Sequence, residues 1–340
     1  MQRREFITWL LACSTLRSSR TLADHHYVSA NPLIVECDLS SLKEHYVPLA
    51  DFYIRNHKGM PTTTPEFLAI DGLVGKKLRL KAQDLTRFSI RRLNAVLECA
   101  GNTPGAGGVS NGRWEGVALS ELLGVVRPMA RAKYINFYGA DGYSRSVAIP
   151  KIKQDGLLIT KFDGYPLRRE HGFPWRVFLP GWYGMDSVKW VHRIELATAP
   201  LSSNEDEYMG LTKDPAGDIV KQPLPRVLVR SIITSPTQQS VLRSGIIEVR
   251  GLAWSGTGSI RSVELSVDSG TIWSRCYFKP SDRYDWVEWR GTSDLRRRGR
   301  VELICRATDS AGNTQPANRN PDRLDGYAKN EYHHVSCIVT

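Results

Sequence analysis

The sequence predicts two domains, an α+β domain followed by an all-β, immunoglobulin-like sandwich. From about residue 24 to 222, short strand-like runs mix with short helical segments and lack the regular spacing of a parallel α/β fold. From 223 to 340, runs of alternating polarity are separated by turns containing Gly and Asp, which is typical of a sandwich. A length of 340 residues accommodates two such domains.

The N-terminal segment, residues 1–23, is predicted to be an export signal that precedes both domains. Arg3 and Arg4 precede an apolar stretch too short to span a bilayer, and residues 21–23 offer a cleavage site. The Arg-Arg-x-Phe-Ile pattern resembles a twin-arginine signal, which predicts a periplasmic protein exported in folded form. A chance arginine pair and a lipoprotein-type cleavage at Cys13 are the alternatives. No later stretch is long enough for a membrane helix, so we expect no span in the mature chain.

Within the first domain, several short elements can be predicted. Residues 68–73 indicate a strand that runs into a turn, and residues 134–143 indicate a second strand and turn. Residues 83–88 and 118–123 indicate short helices, the second with Ser120 as its N-cap.

The second domain is predicted from alternation. Residues 247–254, 263–267 and 301–307 alternate between apolar and polar side chains, and Asp- and Gly-containing turns follow the last two runs. Residues 221–226, which contain two prolines, are the predicted joint between the domains.

Charge and composition narrow the range of partners. Hydrophobic residues make up 41% of the chain and charged residues 24%, so a folded core is expected. A formal net charge of +11 is compatible with nucleic acid, an anionic surface or a small anionic ligand. The basic residues are scattered, and the compact run Arg296–Arg298 is interpreted as a solvated turn. Since no nucleic-acid motif is present, a basic pocket for a small anion is the interpretation that stays open.

Cys99 is the candidate redox-metal ligand. A strand-like run ends at Cys99, and the small, turn-forming residues 100–102 follow it. This pattern places a thiol at a strand end with open backbone around it, and a thiolate is the soft ligand that a redox metal selects. A buried cysteine before a turn is the alternative. None of the six cysteines forms a C-x-x-C pair, and Cys305 and Cys337 lie in strand-like runs where a small buried residue is expected.

Two further segments carry candidate anion ligands. Arg55 and His57 are two residues apart, so they share one face of an extended stretch and can form an anion site. Residues 164–190 combine basic side chains with Gly and Pro turns. In this segment a phosphate could be bound by His171, Arg176 and Lys189, with a hydroxyl from Ser187. Solvated surface residues are the alternative in both segments.

Taken together, these motifs resemble the sulfite oxidase family of molybdopterin enzymes over residues 45–340. The matching motifs, in order, are Arg-Asn-His at 55–57, Cys-Ala-Gly-Asn at 99–102, His-Gly-Phe-Pro-x-Arg at 171–176 and Ser-Val-Lys-Trp at 187–190. The resemblance implies a molybdopterin-binding catalytic domain at 24–222 and an immunoglobulin-like dimerisation domain at 223–340. It also implies a homodimer with molybdenum–molybdopterin as its cofactor.

The resemblance further implies a role for each matching residue. Cys99 would bind molybdenum as a thiolate, and Arg55 and Tyr208 would act on the substrate as catalytic residues. The pterin and its phosphate would be held by Asn56, His57, Asp141, His171, Arg176, Ser187 and Lys189. The family reaction is oxygen-atom transfer, in which sulfite leaves as sulfate and the metal gains two electrons. Because the sequence lacks a Cys-x-x-Cys-His haem motif, we expect no haem and a separate electron acceptor, a small cytochrome c.

Two positions depart from the family pattern. Pro104 follows the cysteine motif where basic residues are usual, and Asp325 precedes Gly326 where an arginine is usual. The anion pocket is therefore expected to lose positive charge and to gain a negative one. A single close charge is worth about 4 kcal/mol at an effective dielectric constant of 20. A nearby arginine would have to compensate, the candidates being Arg113, Arg145 and Arg323, and Asp186 is another unusual acid near the pterin segment.

Three other functions are alternatives. The altered pocket motivates an exported reductase of a sulfoxide or another oxyanion on the same fold. Nitrate reduction is a further candidate, although no haem or flavin module is evident in the sequence. A non-catalytic binding protein would use the sandwich as an adhesion module, and the presence of Cys99 beside Arg55 and His57 counts against it.

Overall fold

The computed structural model describes residues 26–42, 44–152, 155–202 and 208–340. The predicted export signal, including Cys13, therefore lies outside the described residues. Within them no helix is long and apolar enough to cross a membrane. The described helices are α1 (Leu119–Val126), α2 (Ile149–Ile152) and the 3-10 helices Ala82–Arg87, Arg169–His171 and Gly184–Asp186.

The first part of the chain is built mainly from short strands. They are β1 (His26–Ala30), β2 (Leu33–Glu36), β3 (Ile54–Arg55), β4 (Leu68–Gly72), β5 (Leu78–Leu80), β6 (Ile90–Glu98), β7 (Val109–Ala118), β8 (Tyr134–Gly139), β9 (Ser144–Ala148), β10 (Leu157–Phe162), β11 (Tyr165–Pro166), β12 (Arg176–Phe178), β13 (Val191–Ala197), β14 (Met209–Lys213) and β15 (Ile219–Pro223).

These strands form two five-stranded sheets, a three-stranded sheet and a hairpin. One large sheet has the order β11-β10-β7-β6, with β12 also paired to β10, and the other has the order β5-β4-β13-β8-β9. Strands β1-β2-β3 form the small sheet, and β14 and β15 form the hairpin. The two large sheets share a buried apolar core with α1, to which Ile70, Leu122, Phe137 and Leu158 contribute. Burial of this shared face stabilises the domain.

The second part of the chain is a two-sheet sandwich, as predicted. Its sheets have the orders β16-β18-β22-β21 and β17-β24-β23-β19-β20. The inward-facing residues of both sheets pack together, with Trp289 and Cys305 fully buried among them. The strands are β16 (Arg230–Ser235), β17 (Val241–Leu242), β18 (Gly245–Trp254), β19 (Ile260–Ser266), β20 (Ser274–Arg275), β21 (Tyr277–Phe278), β22 (Val287–Leu295), β23 (Gly299–Asp309) and β24 (His333–Val339).

The two parts meet in a shared hydrophobic cluster. Leu97 of the first part and Trp254 and Trp286 of the second belong to the same buried group. The backbone N–H of Val96 in β6 also donates to the carbonyl oxygen of Tyr284 at 2.8 Å. Strand β6 is therefore held against the sandwich along its buried side.

The predicted N-cap of the helix at 118–123 is wrong. Ala118 occupies the N-cap position without a side-chain hydrogen bond, so Ser120 lies inside the first turn. The physical reason is that β7 continues to Ala118, and the N–H of Leu119 is satisfied by the carbonyl oxygen of Gly156 at 2.8 Å. A tertiary backbone contact thus replaces the side-chain cap. Within the predicted joint at 221–226, the first three residues belong to strand β15.

Candidate functional site

One cleft brings together every residue that the sequence analysis proposed for the site. These residues are spread over more than 150 positions of the sequence, and the fold gathers them on the walls of this one cavity. Those proposed residues are Arg55, Asn56, His57, Cys99, Asp141, His171, Arg176, Ser187, Lys189 and Tyr208.

Cys99 is placed in the cleft by the end of strand β6. Residue 98 pairs with Val109 of β7, and the chain between them makes the turn that carries the thiol. The N–H of Cys99 donates to the carbonyl oxygen of Gly108 at 2.8 Å, and its own carbonyl oxygen accepts from Asn102 at 3.0 Å. Burial raises the pKa of the Cys99 thiol, which the Gly101 N–H and the Arg55 guanidinium oppose. Among the described residues, Cys99 is the only cysteine that lines the cleft.

Three basic side chains form one wall of the cleft. Burial lowers the pKa of His171 and of Lys189 well below their ordinary values, and it lowers the pKa of Arg176 to about 10. The mutual repulsion of these groups adds to the effect, since Arg176 lowers the pKa of both His171 and Lys189. A bound anion would offset the positive charge of this wall and favour the protonated forms of its side chains.

Hydrogen bonds fix the orientation of the Lys189 and Arg176 side chains. Lys189 Nζ donates to Asn56 Oδ1 and to the carbonyl oxygen of Glu170, the latter at 2.9 Å. Arg176 donates to the carbonyl oxygens of His171 at 3.3 Å and Ser187 at 3.0 Å. Within the described part of the chain, the buried Nε of Arg176 has no hydrogen-bond partner. A buried donor without an acceptor is costly, so an acceptor from a ligand would fit here.

Ser187 and Asp141 add polar groups to the same cleft. Ser187 Oγ accepts from the N–H of Leu179 at 3.1 Å, so its own proton can be donated to a ligand. Asp141 accepts from the N–H of Tyr143 at 3.1 Å, and burial raises the pKa of its carboxyl group. Close packing around Asp141 requires a glycine at 139, where an added Cβ would lie 2.5 Å from Asp141 Oδ1.

Arg55, His57 and Tyr208 form the solvent-accessible part of the cleft. Arg55 and His57 are exposed, whereas Tyr208 is half-buried. Nδ1 of His57 lies 3.2 Å from the hydroxyl of Tyr208, and the two rings are 5.9 Å apart. Tyr208 also packs on Tyr327, with ring centroids 5.4 Å apart. These contacts hold a phenol hydroxyl beside a guanidinium and an imidazole, which is a suitable set for binding a small anion.

Pro104 and Asp325, the two residues that depart from the family pattern, do not line the cleft. Pro104 instead lines a second cavity together with His333. Asp325 does not line the cleft, and its carboxylate is paired with Arg323 at 3.2 Å and Arg319 at 3.6 Å. The expectation that Asp325 adds a negative charge to the anion pocket is therefore corrected, because two guanidinium groups offset that charge outside the cleft.

Of the three arginines considered as compensation, Arg145 lies over the ring of a cleft residue. Its guanidinium is 5.9 Å from the ring centre of Tyr208, and its Nε donates to Asp186 at 2.8 Å. Arg113 instead pairs with Asp163 at 2.5 Å, and Arg323 pairs with Asp325. Asp186 is fully buried and also binds Lys151, so this unusual acid is explained as the anion of a buried cluster with two cations.

Several residues that line the cleft were not predicted from the sequence. Tyr53 lies two residues before Arg55 in an extended stretch, so the alternation that joined Arg55 to His57 could have found it. Burial, followed by the nearby Cys99, raises the pKa of Tyr53 well above its ordinary value. Tyr143 donates its hydroxyl to the carbonyl oxygen of Met185 at 2.9 Å, and no sequence pattern indicated that contact.

Comparison with known proteins identifies two matching family models. The model described as the oxidoreductase molybdopterin binding domain matches residues 57–205. The model described as the Mo-co oxidoreductase dimerisation domain matches residues 222–340. Together they span both the domain that contains the cleft and the sandwich.

Individual relatives agree with the family models. The chain is 29% identical to the sulfite oxidase of Gallus gallus, over 85% of this chain and 72% of the relative. It is 30% identical to the mitochondrial sulfite oxidase of Drosophila melanogaster, over 92% of this chain and 62% of the relative. The crystal structure of the sulfane dehydrogenase SoxCD from Paracoccus pantotrophus superposes with a TM-score of 0.82 at 27% identity, covering 92% of this chain and 87% of that chain.

Proposed function

Since the chain belongs to the sulfite oxidase family of molybdopterin-dependent oxidoreductases, we propose that it oxidises sulfite to sulfate with a molybdenum–molybdopterin cofactor bound in the cleft. The observation that carries the proposal is the convergence of one thiol, Cys99, with a buried wall of basic side chains in a single cavity. The thiol is a suitable ligand for the metal, and the basic wall is a suitable site for a phosphate.

The residues present fit this cofactor. Cys99 would supply a thiolate ligand to the metal. His171, Arg176 and Lys189 would hold the phosphate, and the partnerless Nε of Arg176 would gain an acceptor. The remaining polar groups of the cleft would orient the pterin, and these are Asn56, His57, Asp141 and Ser187.

When bound, the cofactor supplies the oxygen-atom transfer and accepts two electrons. The chain's own residues bind and orient the substrate. Arg55, which is exposed at the cleft, attracts the sulfite dianion and offsets its charge. Tyr208, held by its contact with His57, donates a hydrogen bond to an oxygen of the bound anion. Arg145, whose guanidinium lies 5.9 Å from the Tyr208 ring centre, forms with Lys151 and Asp186 a cluster that adds a net positive charge to the same region.

The electron acceptor, location and assembly are also part of the proposal. We propose that electrons pass to a separate carrier, a small cytochrome c, and that Arg3 and Arg4 direct export to the periplasm. A homodimer formed through the sandwich is supported by the dimerisation-domain model that matches that segment. Light scattering at micromolar concentration tests the dimer, and a monomer would contradict it.

The direct test is sulfite-dependent reduction of an artificial one-electron acceptor by the purified full chain. We expect turnover in the wild type and in Cys276→Ser, because Cys276 lies in the sandwich and does not line the cleft. Cys99→Ser should lose turnover while keeping its thermal unfolding temperature, since it removes only the thiolate. Retained turnover in Cys99→Ser would exclude Cys99 as an essential ligand.

Two other substrates are candidates on specific observations. The likeness to a sulfane dehydrogenase favours a sulfane sulfur as the atom that is oxidised. Because neither Pro104 nor Asp325 adds a positive charge to the cleft, a neutral sulfoxide that is reduced is the other candidate, and reduction of another oxyanion on the same fold is the remaining alternative. Assays with each substrate, and with a reduced viologen as electron donor for the reverse direction, separate these candidates from sulfite oxidation.

A further inference from the structure

We propose that Arg230 of the sandwich is a positioning residue for Cys99, acting through Glu98 and Asn102 on the turn that presents the thiol to the cleft. The inference rests on the proposed function, because it takes Cys99 as the metal ligand. Arg230 does not line the cleft, and its guanidinium contacts the turn from the side of the second domain.

Glu98, the residue before Cys99, is the centre of a buried polar network. Glu98 and Arg230 are each 1% exposed. Arg230 Nη1 donates to Glu98 Oε1 at 2.5 Å, and the indole N–H of Trp254 donates to Oε2 at 2.9 Å. Both carboxylate oxygens are thus held by side chains of the sandwich. Because Arg230 and Trp254 are paired residues on strands β16 and β18, that sheet presents both donors together.

Asn102 closes the other end of the turn. Its side-chain amide donates to Glu98 Oε1 at 3.1 Å, and its Oδ1 accepts from the N–H of Gly108 at 3.0 Å. Arg230 Nη2 donates to the carbonyl oxygen of Asn102 at 3.3 Å. A single guanidinium therefore contacts the residue before Cys99 and the residue three positions after it. An added Cβ at Gly108 would lie 2.9 Å from Asn102 Oδ1, so the packing tolerates little displacement.

A buried ion pair of this kind is not required for stability alone. The loss of hydration of the two charges offsets much of their attraction. Replacing such a pair by well-packed apolar residues often leaves the stability of a protein unchanged or raises it. What the planar guanidinium adds is direction, since its two donors are rigidly spaced and reach two fixed acceptors. A side chain that binds a metal and must keep one orientation is best held by hydrogen bonds from a second layer of residues.

A second polar contact between the same domains provides a matched control. His45 Nε2 lies 3.0 Å from Asp285 Oδ1, and His45 Nδ1 lies 2.9 Å from Glu288 Oε1. This contact also joins the first domain to the sandwich, but none of its side chains touches the turn at Cys99. A residue that only holds the domains together should behave like His45.

The test compares Arg230→Lys with His45→Gln in the purified full-length holoenzyme. Lysine keeps the positive charge but loses the forked geometry that joins Glu98 to Asn102. The readouts are molybdenum retained per chain during incubation in cofactor-free buffer and the electron paramagnetic resonance spectrum of the partly reduced metal. We expect Arg230→Lys to lose molybdenum about 10-fold faster than the wild type and to show an altered spectrum. His45→Gln should match the wild type in both.

Trp254→Phe is the second variant, in case Arg230→Lys does not fold. It removes one hydrogen bond to Glu98 and keeps the aromatic packing, so a smaller change in the same direction is expected. Wild-type retention and spectrum in the Arg230 and Trp254 variants, or equal losses in His45→Gln, would overturn the inference. Cys99→Ser measured alongside separates the two proposals, because an unchanged spectrum in that variant would remove the metal-ligand assignment itself.

Discussion

At the scale of single residues, the cleft uses arginine in two different ways. Arg176 is buried, donates to two backbone carbonyl oxygens and keeps one donor for a ligand. Arg55 is exposed and has solvent available to it. A buried guanidinium with fixed hydrogen bonds suits a permanently bound anion, whereas an exposed one suits an anion that enters and leaves at each turnover.

Arg55→Met is therefore predicted to act on substrate binding. The KM for sulfite should rise about 10- to 100-fold, because a favourable charge interaction of roughly 1–3 kcal/mol is lost, while a neutral sulfoxide should be affected far less. Steady-state kinetics with both substrates measure this. Arg113→Met is the control, since Arg113 pairs with Asp163 away from the cleft and should leave KM unchanged. Equal effects of Arg55→Met on the charged and the neutral substrate would contradict an electrostatic role.

At the scale of elements, strand ends position the chemistry. Strand β6 ends at Glu98 and delivers Cys99, and β3 ends at Arg55. Strand β12 begins at Arg176, and its pairing with β10 holds that residue in place. The rigid parts of the sheets therefore set the positions from which loop residues line the cleft.

The packing of β7 against β10 is predicted to be sensitive to a single methyl group. Gly116 is paired with Ile159, and an added Cβ would overlap the carbonyl oxygen of Leu158. Gly116→Ala should lower the free energy of unfolding by about 1–3 kcal/mol, as measured by urea denaturation. The matched control is Gly124→Ala in helix α1, where nothing lies within 4 Å and a gain of about 0.5–1 kcal/mol is expected. If both variants shifted stability equally, overlap at Gly116 would not be the cause.

The sequence predicted the strands in which apolar and polar residues alternate clearly. The alternation at 247–254 corresponds to β18, and the strand predicted at 68–73 corresponds to β4. The N-cap at Ser120 was not predictable, because the helix start is set by a backbone contact with Gly156, which is distant in sequence. Local propensity carries no information about such a partner.

At the scale of the whole molecule, the two domains share a core and polar contacts. The site residues were found from ordered motifs, but their long-range partners were not. The pairing of Asp325 with Arg319 and Arg323 and that of Glu98 with Arg230 depend on how separate segments pack. The motifs therefore named residues that line one cleft, whereas the expected effect of Asp325 on the charge of that cleft was wrong.

The contact between His45 and Asp285 predicts a pH-dependent contribution to stability. The hydrogen bond to Asp285, followed by weaker effects of Glu288, raises the pKa of His45 above its ordinary value of 6.5. The stabilisation is therefore fully present below about pH 6.5 and is lost as the pH rises through the raised value. The difference in unfolding free energy between the wild type and His45→Gln should be larger at about pH 6 than at about pH 9. A difference that is constant or grows with pH would contradict this account.

The central claim is that this chain is a molybdenum enzyme, and its molybdenum content tests that claim most directly. The full chain would be expressed in a host that makes the molybdopterin cofactor, purified, and analysed by elemental mass spectrometry. We predict about one molybdenum per chain, because one cleft holds one thiolate ligand and one phosphate-binding wall. Folded protein that contains no molybdenum from such a host would contradict the account.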